Sequence, residues 1–245
     1  MNIIWIDECP STNSHVASLP LNTNGIVVAT RSQTAGRGQK GNSWESEPDK
    51  NLTFSVMWKP HGFAARDQFA ISEAVALAVT DLLSELGLEA TVKWPNDIYV
   101  GDKKICGILI EHAVMGLDLS RTIAGVGINI NQREFVSDAP NPVSVIQLIG
   151  AELSLEPLLE RYVAILESRL EAISTAEGRK DIHDEFQKSM WRFDGKPYPF
   201  RDRDSEQTYQ GIIRGVEPLG FLEVENTETS EVRKYAFKEV EFLLS

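Results

Sequence analysis

The chain has 245 residues, of which 42% are hydrophobic and 24% charged, an ordinary globular composition with room for one large domain or a main domain plus a small appendage. Its net charge of -12 disfavours loose attraction to a nucleic-acid backbone, and no apolar run approaches the ~20 residues of a membrane span. The two cysteines, Cys9 and Cys106, lack metal-ligand spacing and read as reduced thiols, so a soluble cytoplasmic protein is expected.

Ile3-Ile4-Trp5-Ile6 is a short apolar run closed by Asp7, Glu8 and Pro10, the pattern of a buried strand. Ser11 or Thr12 is placed to cap a short helix that stops before Pro20. The β-branched stretch 25–31 predicts a central strand, and a polar, glycine-rich segment follows over 33–50. Leu52, Phe54, Val56 and Trp58 then alternate with Thr53, Ser55 and Met57, returning the chain to a sheet.

Phe69, Ala70, Ala74, Leu77, Ala78, Leu82 and Leu86 recur near helical spacing, with Gly87 as a stop. Strands are predicted at 91–94, 98–100 and 105–114, the last two joined through Gly101-Asp102, and another at 121–130 after a turn. Apolar stripes predict helices over 157–175 and through Ile182 and Phe186 to about Trp191. Beyond that point Gly195, Pro197, Pro199, Gly211, Gly215, Pro218 and Gly220 punctuate short apolar runs, the signature of a small antiparallel barrel. The expectation is an α+β main domain over 1–190, a mixed, largely antiparallel sheet with flanking helices, and a C-terminal barrel over 191–245.

Gly36, Gly38 and Gly41 satisfy G-x-G-x-x-G, yet no helix pattern follows, as a dinucleotide fingerprint requires. The same stretch fails as a Walker A loop, because Lys40 precedes Gly41 and Asn42 stands where the lysine belongs. What remains is a loop of backbone donors carrying Arg37 and Lys40, suited to an anion, with Trp44 able to close over a base or apolar ligand; a flexible basic surface loop is the plainer alternative. Lys93-Trp94-Pro95-Asn96-Asp97 gathers an ammonium, an indole, an amide and a carboxylate at a strand end, either a site or an Asx-type turn. Lys103 and Lys104 follow a turn, and one pointing inward would need an anion. Gly125, Gly127, Asn129 and Asn131 share one strand, where glycine permits close approach of a ligand or marks a bulge. The four histidines are scattered, and no G-x-S-x-G elbow occurs.

Taken in order, Ser11-Thr12-Asn13, Gln33-Thr34-Ala35-Gly36-Arg37-Gly38, Lys93-Trp94-Pro95-Asn96-Asp97, Lys104-Ile105-Cys106-Gly107-Ile108-Leu109 and Gly127-Ile128-Asn129 resemble the biotin protein ligase family across essentially the whole chain. The resemblance implies a catalytic fold like that of class II aminoacyl-tRNA synthetases, followed by an SH3-like domain. It implies synthesis of biotinyl-5'-AMP from biotin and ATP with Mg²⁺, then biotinylation of a lysine on a biotin carboxyl carrier domain.

By the same resemblance, Ser11, Thr12, Asn13 and Gln33 line the biotin ring pocket, and Gly36, Arg37, Gly38 and Gln39 form the loop over biotin and the adenylate phosphate. Lys104 meets the biotin carboxylate and the α-phosphate, with Gly107 against the ligand. Trp44 and Asn129 contact adenine, and Lys40, Lys93 and Asn96 join Arg37 and Lys104 at the nucleotide. Asp97 is expected to serve the metal and the acceptor lysine. Lys104, Arg37 and Asp97 are thus the catalytic candidates.

Gln39 stands where the best-known members have a second arginine, which removes a charge from the phosphate loop. Only ten residues precede Ser11, too few for a DNA-binding domain, so no nucleic-acid partner is expected. Family members include monomers and dimers, which leaves a homodimer open. The rival readings are a lipoate- or octanoate-type protein ligase and a non-catalytic sensor of biotinyl-adenylate.

Overall fold

The computed structural model describes residues 1–20, 22–39, 42–136 and 141–243. Strand β1 (Asn2–Cys9) runs parallel to β2 (Ile26–Gln33), with helix α1 (Thr12–Ala17) between them. Strand β3 (Leu52–Trp58), helix α2 (Phe69–Glu85) and strands β4 (Ala90–Lys93), β5 (Asp97–Val100), β6 (Lys103–Met115) and β7 (Asp118–Ile128) follow. They complete a seven-stranded sheet in the order β1-β2-β3-β7-β6-β5-β4, antiparallel everywhere except β1 against β2. The expected α+β class and mixed, largely antiparallel sheet are what the chain forms.

Alternation along the central strands gives the sheet two different faces. Phe54, Val56, Ala124, Val126 and Ile128 enter the main core with α2. Met57 and Ile123, one step out of phase with them, join Val16 of α1 in a small separate cluster. That second face also carries Ser55, Gly125 and Gly127, and it is where the cavity forms.

Helix α2 is apolar nearly all round because it is covered twice. It lies on β4, β5 and β6 and beneath α4 (Leu155–Ala172) and α5 (Ala176–Lys188). Leu77, Leu82 and Leu83 are fully buried there, a burial that stabilises by about 1.5–3 kcal/mol per side chain. Helix α4 starts earlier than 157, since Pro157 falls in a first turn whose N–H groups have no intrahelical acceptor anyway. Helix α5 ends at Lys188, short of Trp191, because the next residues turn aside to β4. Val92 N donates to Ser189 O at 2.8 Å, and Trp191 N donates to Val92 O at 2.9 Å. Helix α3 (Val145–Ile149) has no counterpart in the periodicity, being too short to show a stripe. It is fixed by local bonding instead: Ser144 N donates to the Gln147 side chain at 3.0 Å, and Gly150 stops it at a φ of 75°.

The remaining strands are β8 (Tyr198–Asp202), β9 (Thr208–Val216), β10 (Leu222–Asn226), β11 (Val232–Tyr235) and β12 (Val240–Phe242). They make a five-stranded antiparallel sheet ordered β11-β10-β9-β8-β12, consistent with the SH3-like unit expected at this end. Its Phe200, Ile213, Leu222 and Val224 belong to the same core cluster as α2. Trp94 Nε1 donates to Gly220 O at 3.0 Å, tying the two sheets together. No helix among the described residues is long and apolar enough to cross a membrane.

Candidate active site

A cavity of about 730 Å³ opens on the α1 face of the large sheet, with the last strands of the small sheet as its far wall. It is large enough for one small-molecule ligand. Five cations line it (Arg37, Lys93, Lys104, Arg203 and Lys238) against two carboxylates, Asp97 and Glu241. In a chain of net charge -12 this local excess makes the cavity a place for anions.

One end is built on α1. Ser11 takes the N-cap position in an extended conformation without bonding the helix through its side chain, and Thr12 and Asn13 point into the fold, buried. Thr12 N donates to Gln33 Oε1 at 2.9 Å. The Ser55 hydroxyl, wholly buried on β3, donates to Asn13 Oδ1 at 2.6 Å and lies 2.7 Å from the Thr12 hydroxyl. Asn13 Nδ2 donates to Leu109 O at 3.2 Å and to Glu111 Oε2 at 2.7 Å. The same carboxylate meets Arg37 at 3.2 Å. A polar chain therefore runs from Gln33 through Thr12, Ser55, Asn13 and Glu111 to the loop cation.

The other end is built on β5 and β6. Lys104 Nζ lies 2.7 Å from Asp97 Oδ1. Lys104 and Gly107 are three residues apart, so a regular strand would point them to opposite faces. The register shifts between Ile98 and Tyr99, which pair with Cys106 and Lys104, so Ile105 is an extra residue on β6. This bulge returns Lys104 to the cavity face, where its Cε lies 3.5 Å from a Cβ built on Gly107. Lys103 stays exposed on the turn. The backbone of Lys104 is clamped from the far side: its N donates to Asn141 O at 2.8 Å, and its O accepts from Val143 N at 2.9 Å.

Asn96 Nδ2 donates to Ile108 O at 2.7 Å, and Ile108 N donates to Asn96 O at 3.0 Å, so this residue pins the turn onto β6. The Trp94–Pro95 bond within it is cis. Lys93 lies 5.3 Å from the Tyr99 ring centroid and 5.5 Å from that of Phe242. Burial lowers its ammonium from the ordinary lysine range, with Asp97 opposing the shift and Lys104 adding to it.

The loop between these ends is a small hairpin: Trp44 N donates to Gly36 O at 3.0 Å, Gly38 N donates to Asn42 O at 2.7 Å, and Arg37 bridges Ser43. It lays the Trp44 indole flat on bare backbone. A Cβ on Gly127 would lie 2.4 Å from Trp44 Cε2, one on Gly107 2.9 Å from Cζ3, and one on Gly125 2.3 Å from Asn13 Oδ1. Glycine in these strands serves close side-chain approach.

The model of the Biotin/lipoate A/B protein ligase family matches residues 6–129, a span that holds the site residues expected from the sequence but not the C-terminal wall. The chain belongs to that family. It is 30% identical over 228 residues to the bifunctional ligase/repressor BirA of Salmonella typhimurium, covering 91% of this chain and 69% of that protein. It is 28% identical over 223 residues to the biotin–[acetyl-CoA-carboxylase] ligase of Paracoccus denitrificans, covering 86% of this chain and 89% of that one. In fold it matches the biotin protein ligase of Aquifex aeolicus in complex with biotin and ATP, with a TM-score of 0.82 at 23% identity over 100% of this chain and 99% of that one.

Of the residues expected from the family resemblance, Ser11, Thr12, Asn13, Gln33, Arg37, Gly38, Gln39, Trp44, Lys93, Asn96, Asp97, Lys104 and Gly107 line the one cavity. Gly36 sits behind it under Trp44, and Lys40 lies outside the described residues. Asn129 is not among the lining residues. It is buried just past β7, its Nδ2 donating to Val143 O at 3.0 Å.

Sequence reasoning missed Ser55, Glu111 and the C-terminal wall. A hydroxyl in a strand buried on both faces, and a carboxylate closing Ile108-Leu109-Ile110, were available as signals. Nothing local marks Arg203, Phe237 or Phe242, because their place depends on how the two sheets dock.

Proposed function

We propose that this chain is a biotin protein ligase, with residues 1–190 as its catalytic domain and 191–245 as its SH3-like domain. It makes biotinyl-5'-AMP from biotin and MgATP and passes biotin to a lysine of a biotin carboxyl carrier domain, with release of AMP. The carrying observation is the cationic cavity with Lys104 between a hydroxyl- and amide-lined end and an end holding Lys93, Asn96 and Asp97. A neutral, hydrogen-bonding ring suits the first end and a polyphosphate the second, so carboxylate and α-phosphate meet beside Lys104.

Attack of the biotin carboxylate on the α-phosphorus forms the mixed anhydride and releases pyrophosphate. Two anions approach in that step, and the Lys104 ammonium and Arg37 guanidinium offset their repulsion. In the free protein Lys104 is held by Asp97. A bound phosphate takes over the ammonium and leaves the Asp97 carboxylate to orient the acceptor lysine or take its proton. The hairpin arms at 36–39 and 42–44 cover the labile anhydride and exclude water.

Trp44 Nε1, on the cavity lining, is buried without a hydrogen-bond partner and is a donor for a nucleotide base; Asn129 Oδ1 is likewise unpartnered but lies off that lining. Among the described residues no group of three His, Cys, Asp or Glu could hold a metal ion. Asp97, the carboxylate beside Lys104, would be the residue to help hold Mg²⁺, and the ion would neutralise phosphate charge. The test is incubation with biotin, MgATP and a carrier domain, read as a mass shift on the carrier. Ligand binding without carrier modification would point to a sensor, and modification by lipoate alone to the other branch of the family.

A further inference from the structure

The polar chain at the α1 end does not stop at the ligand pocket. Its last link, the Glu111 carboxylate, serves two partners with one oxygen: Oε2 accepts from Asn13 Nδ2 at 2.7 Å and from the Arg37 guanidinium at 3.2 Å. The two partners differ in kind. Asn13 is buried, held by Ser55 from behind and pressed on Gly125, whose Cβ would clash with it at 2.3 Å. Arg37 is half exposed and sits on the hairpin that carries Trp44. Glu111 is fixed by β6 pairing opposite Ile123 of β7, so it does not move with the hairpin.

We propose that Glu111 is a positioning residue that latches the Arg37 hairpin to the biotin end of the cavity and thereby sets how long the acyl-adenylate is retained. This rests on the reading of the chain as a biotin protein ligase. The carboxylate orients Asn13 through a hydrogen bond and holds Arg37 through charge, and the two tasks separate by substitution. Glutamine keeps an oxygen for Asn13 but gives up the charge that Arg37 needs. Alanine gives up both.

The test uses the full chain and four proteins: wild type, Glu111→Gln, Arg37→Ala and the double variant, with Glu111→Ala as a second probe. Glu111→Gln is expected to keep biotin affinity within about twofold while biotinyl-adenylate dissociates about two- to fivefold faster, the range of an exposed ion pair. In the Arg37→Ala background the same substitution is expected to change dissociation no further. Glu111→Ala is expected to weaken biotin binding by about tenfold as well, the scale of a hydrogen bond to a charged group.

A ligand-free readout runs beside these: tryptic cleavage after Arg37 is expected to quicken in Glu111→Gln at unchanged melting temperature. Wild-type dissociation and wild-type cleavage in Glu111→Gln would overturn the latch, as would an equal effect with Arg37 already removed. If the wild-type protein makes no biotinyl-adenylate, the ligase reading fails and the cleavage rates alone decide the latch.

Discussion

Gly127→Ala tests whether the bare strip of sheet backbone exists for Trp44. The added methyl would stand 2.4 Å from Trp44 Cε2, 2.5 Å from Nε1 and 2.7 Å from Cζ2, about 1 Å inside an ordinary carbon contact. The strand cannot yield, because Gly127 is paired on both sides, with Thr53 of β3 and Gly107 of β6. The indole must therefore lift, and the hairpin must lift with it through the Trp44–Gly36 hydrogen bond.

Overpacking of this kind costs about 1–3 kcal/mol, and the alanine returns about 0.4–1 kcal/mol by stiffening the unfolded chain. The net loss of stability is about 0–2.6 kcal/mol, and the damage appears in function as well. A loss of about 1–2 kcal/mol of adenylate retention corresponds to roughly 5- to 30-fold faster release. The assay is adenylate dissociation beside a thermal melt, with Trp44→Phe to isolate the fluorescence of this indole. Unchanged release and unchanged Trp44 emission in Gly127→Ala would show that the indole does not rest on this backbone.

Lys104→Ala is expected to lower biotin-dependent pyrophosphate exchange by about 10²–10³-fold, the scale of removing a charge-stabilising donor; wild-type exchange would refute its role. Ser55→Ala strands Asn13 Oδ1 in a buried position, which costs about 1–3 kcal/mol. It should appear as weaker biotin binding by calorimetry, whereas unaltered affinity would separate Ser55 from the pocket. His183 Nδ1 lies 2.6 Å from the buried Glu73 carboxylate, which holds the imidazole above its ordinary range. A raised folded value means that this contribution is complete below about pH 6.5 and fades as pH climbs through the folded value; Glu73, raised by burial, acts in the same sense. The melting-temperature gap between wild type and His183→Gln should therefore narrow from about pH 6 to about pH 9, and a widening gap would reverse the sign.

Much of the fold is legible in the chain because its elements are long enough to show a period. The Leu52-to-Trp58 alternation, the α2 stripe and the Gly101-Asp102 hairpin each carry their own local reason. Helix α3 is shorter than two turns and is held by Ser144 and Gln147 rather than by a stripe. Most candidate residues before Lys104 line one cavity, Gly36 and Lys40 aside, yet residue order alone cannot reveal that Ser55 and Glu111 bond to Thr12, Asn13 and Arg37. Strand register decides that, with Ser55 opposite Gly125 and Leu109 opposite the same glycine. Phe237 and Phe242 illustrate the limit further, since their meeting with Trp94 and Lys93 respectively depends on how the two sheets dock.

The extra residue at Ile105 makes this centre sensitive to strand register as well as to composition. Pairing Ile105 into the ladder without the bulge would put Lys104 and Gly107 on opposite faces and turn the lysine toward the helices, where Ile98 and Cys106 lie in the apolar core. Every named ligand-binding side chain would still be encoded, and the ammonium would nonetheless be on the wrong side of the sheet. Residue identity at each position would not register the difference, because it lies in how one strand pairs with its neighbour.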